Sequence, residues 1–460
     1  MALSQPVRSG RLRAGRPPTV ADVSMNAALT ARGRGYGAVV GSRQAIPPPY
    51  HYYYHGVDGH RTVSASSMDR STGEHSAIIT AAFASAALAS FRCIRRSTSR
   101  RNKHRDIIHP DGPIGAVKLA QKLLEGSDQQ FKDLFRLDQP TFRRLVSWLQ
   151  NNAGLRPSRH QSPELKVMVV LWILAHAESQ RNTAHKFQVS QSTVSDIVSS
   201  VLPMLVSLHK AYVRLPADDW VDERIELDPV LNAFNGCIGA IDGTHIAAFI
   251  PANKQLRWRD RKGRVTQNVF AAVRSDYTFS YVLAGAEGSI NDATLCSQAF
   301  GRSFRVPDGR YYVADSGFGS RNGIVIPFPG VRYHLQDWRD ADEAPATAKE
   351  LYNLRHARIR VAVEQAFGHL KRRWKIVRIA PIEYSIQKQV QIVYAVTGLH
   401  NFMCVDGRQP LTQEDEGVLQ QARERASRVV GSRHPDHVRH TAAAVMWEKY
   451  LQHRSQQQAQ

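Results

Sequence analysis

Cysteine is scarce in this chain, and acid is well outnumbered by base. Its four cysteines, Cys93, Cys237, Cys296 and Cys404, are scattered over 460 residues with no paired spacing. That excludes a disulfide framework and a zinc ribbon, and it fits a reducing compartment. No apolar run reaches the roughly 18 residues that span a bilayer, and Ala77 to Phe91, the best candidate, is short and rich in Ala and Ser. We expect no membrane association. The chain also lacks a G-x-S-x-G elbow and a Gly-Lys-Ser/Thr phosphate loop, which excludes two common hydrolytic designs.

Acidic residues number 40 against 61 Lys and Arg, so the net charge is +21 and the sequence pI is about 10.1. Such a balance points to a polyanionic partner, with nucleic acid first among them. Residues 1–105 hold 16 of the cations and 4 of the acids, a net of +12, so the rest still carries +9. A basic tail therefore inflates the charge without creating it. Residues 1–105 read as a disordered basic extension, rich in Arg, Ser, Ala and Gly and without periodicity. Acid-poor and Arg-rich, the stretch also suits a mitochondrial leader. Its cluster of Arg95, Arg96, Arg100, Arg101, Lys103 and Arg105 reads better as a nuclear-import or phosphate-contacting patch, and we expect a nuclear protein.

The spacing becomes helical from Ala116. Phe131, Leu134, Phe135, Phe142, Leu145, Val146 and Leu149 recur three to four apart, and Leu165 to Ala177 forms a second apolar helix. We expect an all-helical domain over 106–228, ending in a helix-turn-helix at about 164–208. In QRNTAHKFQVSQSTVSDIVSSVL, Phe187, Val189, Val194 and Ile197 would form its core and Ser190 would cap the second helix. Gln191, Ser192 and Thr193 would then face DNA. Gln188 stands where such turns usually carry Gly, and a packing hairpin without DNA contact is the competing reading.

From Gly236 the pattern turns to strands. Cys237 to Asp242 and Ile246 to Ile250 read as one bent strand broken at Gly243. Val269 to Val273 and Phe279 to Ala284 flank a turn. Asn291 caps a helix to Phe300. Tyr311 to Ala314 and Ile324 to Pro327 are further strands, and a long helix covers 346–377. The order of three antiparallel strands, helix, strand, short strand and helix is that of an α/β, ribonuclease-H-like catalytic core, over 229–405. Residues 406–460 read as a charged C-terminal tail.

Three acids stand where a bare charge is costly. Asp242 and Asp315 end apolar strands, and Glu364 lies on the long helix, whose buried stripe is Val363, Phe367, Leu370 and Trp374. In this topology the two strand-end aspartates are neighbours and Glu364 packs beside them. Three such carboxylates repel one another without a cation. With Mg²⁺ or Mn²⁺ they form a two-metal phosphodiester-cutting centre. Arg360, Glu364 and Lys371 share one helix face, so a plain Arg360–Glu364 helix pair is the alternative. His245 either meets phosphate or satisfies its turn. Lys371, Arg372 and Arg373 either meet the DNA backbone or suit the helix dipole.

The motifs IGAIDGTHI, GSIND, VADSGFG with IPF, and NLRHARIRVAVEQAFGHLKRRWKIV together resemble the DDE endonuclease domain of PIF/Harbinger transposases and their domesticated nuclease relatives. The resemblance covers about 230–405. It implies Asp242, Asp315 and Glu364 as catalytic, metal-holding residues, with His245 and Asp292 near the site. RWRDRKGRVTQNVFAAV is similar to a basic segment of that family, which makes Lys262 a candidate DNA contact, although Phe270 departs from the family's Gln. The family also implies a separate Myb/SANT-like protein for DNA binding, and a homo-oligomer is an open expectation. The expected function is metal-dependent DNA cutting, and possible joining. The alternative is a silent, domesticated DNA- or partner-binding protein.

Overall fold

In a computed structural model, the structure describes residues 112–333, 344–381, 384–404, 413–427 and 434–458. The basic extension at 1–105 lies outside them. The helical half opens with α1 (Gly112–Glu125), α2 (Asp128–Phe135), α3 (Gln139–Asn152), α4 (Pro163–His176), α5 (Gln180–Lys186) and α6 (Gln191–Tyr212), then a short α7 (Glu223–Glu226). Small polar residues start these helices because their side-chain oxygens accept orphan N–H groups. Asp138, Ser162 and Ser179 do so for α3, α4 and α5, and Ser190 accepts from Thr193 N as expected. Gln188 holds the left-handed backbone of the α5–α6 turn, at φ 55°. By length and composition α6 could cross a membrane. Its Val194, Ile197, Val198, Val201, Leu202, Leu205 and Leu208 are instead buried in the protein core.

The sheet strands are β1 (Cys237–Ala247), β2 (Thr266–Val273), β3 (Phe279–Glu287), β4 (Tyr311–Val313) and β5 (Ile324–Val325), in the order β3-β2-β1-β4-β5. β1 pairs antiparallel with β2 and parallel with β4, β2 antiparallel with β3, and β4 parallel with β5. The break expected at Gly243 does not occur, because Gly243 pairs with Phe270 inside the ladder. β1 ends at Ala247, so the strand expected to continue to Ile250 stops short. Its irregularity lies instead at Gly239, where φ is 132° and a Cβ would meet the Val273 carbonyl at 2.2 Å.

Side chains alternate between two cores, as the pleat requires. Cys237, Ala240, Ile246 and Ala271 face the larger core, which is shared with α6, α9 (Ala348–Arg373) and α10 (Ile386–Cys404). Ile238, Ile241, Phe270 and Ala272 face a smaller one, closed by Leu295, Cys296 and Ala299 of α8 (Asp292–Phe300). Because the larger core also holds Phe131 to Leu208, packing continues across the boundary expected at 228. Asn401 ties the halves together. It accepts from Phe279 N at 2.9 Å and donates to the Phe279 carbonyl at 2.7 Å and the Tyr212 carbonyl at 2.9 Å.

Past 405, the residues read as a tail form α11 (Gln413–Ser427) and α12 (Pro435–Gln458). α12 is part of the fold. Its Ala442, Ala443 and Met446 join the larger core, and Arg439 donates to the Pro327 carbonyl. The low overall hydrophobicity of this segment hides a narrow apolar stripe.

Candidate active site

Two parallel strands lead to the aspartates. Ala240 pairs with Val313, two residues before Asp242 on β1 and two before Asp315 past the end of β4, and the Arg360 charge is influenced by both carboxylates. Asp315 caps the turn after β4, accepting from Gly317 N at 3.1 Å and from the Ser316 hydroxyl at 2.9 Å. At the start of α9, Thr347 Oγ1 accepts from Glu350 N at 3.2 Å and the Glu350 carboxylate accepts from Ala346 N at 2.8 Å, which sets its first turn. It runs along β1, and Arg360 Nη1 lies 3.6 Å from Asp242 Oδ2 while Nη2 bonds Glu364 Oε1. The Arg360–Glu364 helix pair thus exists, but it also reaches Asp242 and so links strand to helix. Tyr333 lies over the same guanidinium, 5.8 Å from its ring centroid.

Asp292 opens α8 directly after the cap residue Asn291. A Cβ on Gly243 would stand 2.6 Å from Asp292 Oδ1, and one on Gly317 3.8 Å from Oδ2. Gly243 therefore makes room for this fourth carboxylate, and Gly317 lies at ordinary contact distance from it. Asn268 fixes the turn before it, donating from Nδ2 to the Ile290 carbonyl at 2.9 Å. Sequence reasoning missed Asn268 and Tyr333. An amide pair, Gln267 and Asn268, at the head of the apolar run of β2 was a usable signal for the first, while Tyr333 offered none.

The electrostatics show a site short of positive charge. Burial pushes the Asp242 carboxyl up to about 7; Arg360 and the Gly243 N–H oppose this, and the Asp292 and Glu364 charges add to it. Burial likewise raises Asp292, with Asp315 adding while His245 and Arg261 oppose. Burial works against the Arg360 charge, yet Tyr333, Glu364, Asp242 and Asp315 together hold it more firmly protonated. Oxygen donors of this kind suit a hard divalent cation, and the buried Asn268 Oδ1 near Gly243 has no hydrogen-bond partner. Among the described residues, no three His, Cys, Asp or Glu side chains lie close enough to share one ion. The site fits a cation by charge and donor type, while Arg360 holds two of the expected ligands.

His245 lies within β1 and not in a turn, with Nδ1 3.0 Å from Thr266 Oγ1 of β2, and burial lowers its pKa. Lys371 is not a free phosphate contact. Its Nζ donates to Thr244 Oγ1 at 2.6 Å and to the His245 carbonyl at 3.1 Å, strapping α9 to β1. Arg373 is half-buried and bonds Met403 Sδ, whereas Arg372 and Lys262 are exposed. Gln191 and Ser192 are exposed on α6, but Thr193 is half-buried. The Ser192 and Thr193 hydroxyls bond Ser190 Oγ at 2.8 and 2.9 Å.

Residues 241–401, which include all three expected catalytic acids, match the DDE superfamily endonuclease family. Residues 116–207 match a domain family of unknown function. The protein Antagonist of Like Heterochromatin Protein 1 of Arabidopsis thaliana is 26% identical over 295 residues, covering 60% of this chain and 73% of that protein. An ALP1-like protein of the same plant is 25% identical over 316 residues, covering 63% and 74%. HARBI1 of Homo sapiens, which carries the name of a nuclease, is 24% identical over 309 residues, covering 65% and 84%. No solved structure matches.

Proposed function

Because the chain carries a DDE superfamily endonuclease domain and has ALP1-like and HARBI1 relatives of Harbinger transposase origin, we propose that it cuts DNA phosphodiester bonds. In the transposase form of this reading it also joins them. The observation that carries the reading is that Arg360 pairs with both Asp242 and Glu364, while β1 and β4, the strands that lead to Asp242 and Asp315, run in parallel as neighbours. The strand order β3-β2-β1-β4-β5 supports a ribonuclease-H-like core.

Asp242, Asp315 and Glu364 would hold Mg²⁺ or Mn²⁺. Such ions, when bound, activate the attacking oxygen and stabilise the leaving one. The protein's own part is alignment. Asp242 is set by the β1–β2 ladder and Asp315 by its cap on the turn after β4, and Lys371 straps α9 to β1 just past Asp242 through Thr244 and His245. Arg360 keeps Asp242 and Glu364 from repelling one another before a cation arrives. Asp292, wedged beside Gly243 and Gly317, adds negative charge at the same place. The helical hairpin at α5 and α6 would offer Gln191 to DNA, and the basic balance suits a nuclear site of action. A separate Myb/SANT-like partner and self-association belong to the same reading.

Asp315→Asn should keep the fold, since amide and acid are the same size, and reduce Mg²⁺- or Mn²⁺-dependent cleavage to the protein-free level. Cleavage equal to wild type in that variant would defeat the assignment. A second reading draws on the Arabidopsis relative, whose name denotes antagonism of a chromatin protein. On that reading the wild-type chain binds DNA and cuts nothing in either metal.

A further inference from the structure

The connection between β1 and β2, residues 248–265, carries a charge and shape that the catalytic reading does not use. It is a fixed element. Ala248 N donates to the Val265 carbonyl at 3.1 Å, and Arg259 bridges Val265. Gln389 of α10 clamps its root, accepting from Phe249 N at 3.0 Å and donating to the Phe249 carbonyl at 2.9 Å. Ser289 N donates to the Arg257 carbonyl at 3.1 Å, and the Trp258 carbonyl would lie 2.4 Å from a Cβ on Gly288. A side chain at Gly288 would push the arm off the sheet.

Six cations, Lys254, Arg257, Arg259, Arg261, Lys262 and Arg264, stand on this arm, all exposed, against one acid, Asp260. Asp260 is buried in its own turn. It accepts from Lys262 N and Arg264 N at 2.9 Å each and from Arg264 Nε at 2.8 Å. Arg257 pairs with Glu287 at 3.9 Å and Arg264 with Asp260 at 2.7 Å, and the outward face keeps a positive excess carried by Lys254, Arg259, Arg261 and Lys262. On the arm's 3-10 turn, Ala252–Trp258, Leu256 is 83% exposed, the most exposed large apolar side chain among the described residues. Arg261 lies near enough to act on Asp292, and Arg264 near enough to act on Lys371, so the arm borders the carboxylates.

An exposed leucine on a basic arm matches one chemical surface well. Duplex DNA offers phosphates to the cations and, between its base steps, an apolar face to the leucine. An acidic protein would suit the cations, and a second copy of this chain the leucine. Duplex DNA suits both, and it is the substrate of the endonuclease reading. We propose that residues 248–265 form a DNA-engaging arm, with its cations on phosphates beside the cut site and Leu256 inserted against a base step to open the duplex there. This rests on the reading of the chain as a DNA endonuclease.

The test uses the full chain and a short mixed-sequence duplex carrying 2-aminopurine, whose emission rises when its stack opens. Lys254→Gln, Arg261→Gln and Lys262→Gln combined should leave the melting temperature unchanged. The slope of log affinity against log salt should become shallower by about 2–3, from roughly 0.9 per phosphate contact. Leu256→Ser should keep the slope and remove the emission rise that the wild type produces. A wild-type slope in the triple variant overturns the arm as a phosphate contact. No emission rise with wild-type protein, or an undiminished one with Leu256→Ser, overturns the wedge. A dimer in the ultracentrifuge that Leu256→Ser dissolves reassigns Leu256 to self-association. If wild-type protein cuts DNA while the arm variants bind like wild type, only the arm falls. If wild-type protein neither binds nor cuts, the endonuclease reading falls with it.

Discussion

Two basic stretches look alike as sequence and behave differently in the fold. The end of α9 reads HLKRRWK and the β1–β2 arm reads RWRDRKGR. In the first, Lys371 bonds Thr244 and His245 and Arg373 bonds Met403, so those side chains hold structure together. In the second, the single acid is satisfied inside its own turn and the cations face water. Charge enclosed by the fold governs stability and alignment. Charge left outside governs partners. The same division separates the buried histidines from the exposed ones.

The largest expected effect lies with enclosed groups that must stay uncharged. Burial holds His209, His356 and His400 at about 4, against an ordinary value of 6.5. Each ring bonds a neutral partner: the Thr397 hydroxyl, the Val325 carbonyl or the Tyr277 carbonyl. The unfolded chain takes up protons first, so stability is complete above pH 6.5 and is lost as pH falls toward 4. At about 1.4 kcal/mol per unit, each ring contributes up to roughly 3 kcal/mol across that window. Urea midpoints should fall steeply between pH 6.5 and 4.5, and His400→Gln should flatten part of that slope. A midpoint level across this range would show that these rings are not buried.

Next comes the strap. Lys371→Met should cost about 2 kcal/mol, the usual cost of losing charged hydrogen bonds at a half-buried site, and should lower cleavage with it. Lys262→Met on the arm should leave the melting temperature alone. Equal melting curves for the two variants would erase the contrast between the stretches.

The smallest effect sharpens the contrast within the site. Arg360 holds Asp242 and Glu364, so Arg360→Gln should lower the metal-free melting temperature and tighten Mn²⁺ binding. An interaction worth about 1 kcal/mol corresponds to roughly fivefold in affinity. Weaker Mn²⁺ binding in Arg360→Gln would make the arginine a support for the metal ligands and not their competitor.

Much of the site was legible because its residues break local rules. Asp242 and Asp315 end apolar runs, and Asn291 caps a helix in the way its residue type prefers. Asp292 was identified through its motif, while its wedged position depended on Gly243, distant in sequence. Strand ends were less legible. β2 and β3 extend further than expected because ladder pairing continues through Gln267, Asn268 and Glu287, whose polarity argued against it. A charged helix past 405 was legible, but the packing of α12 on the core was not, because its few apolar residues matter only once α9 and β5 supply the opposite surface.

The sequence alone determined the order of elements, the helix caps, the positive balance and the three acids that ask for a cation, because these depend on local spacing and residue type. Tertiary structure alone decided which charges are free. Lys371 and Lys262 are chemically identical, and only the approach of α9 to β1 places Thr244 and the His245 carbonyl within 3.1 Å of the first. Hydrogen bonding and desolvation act over a few ångströms, and the chain sets those distances only by folding.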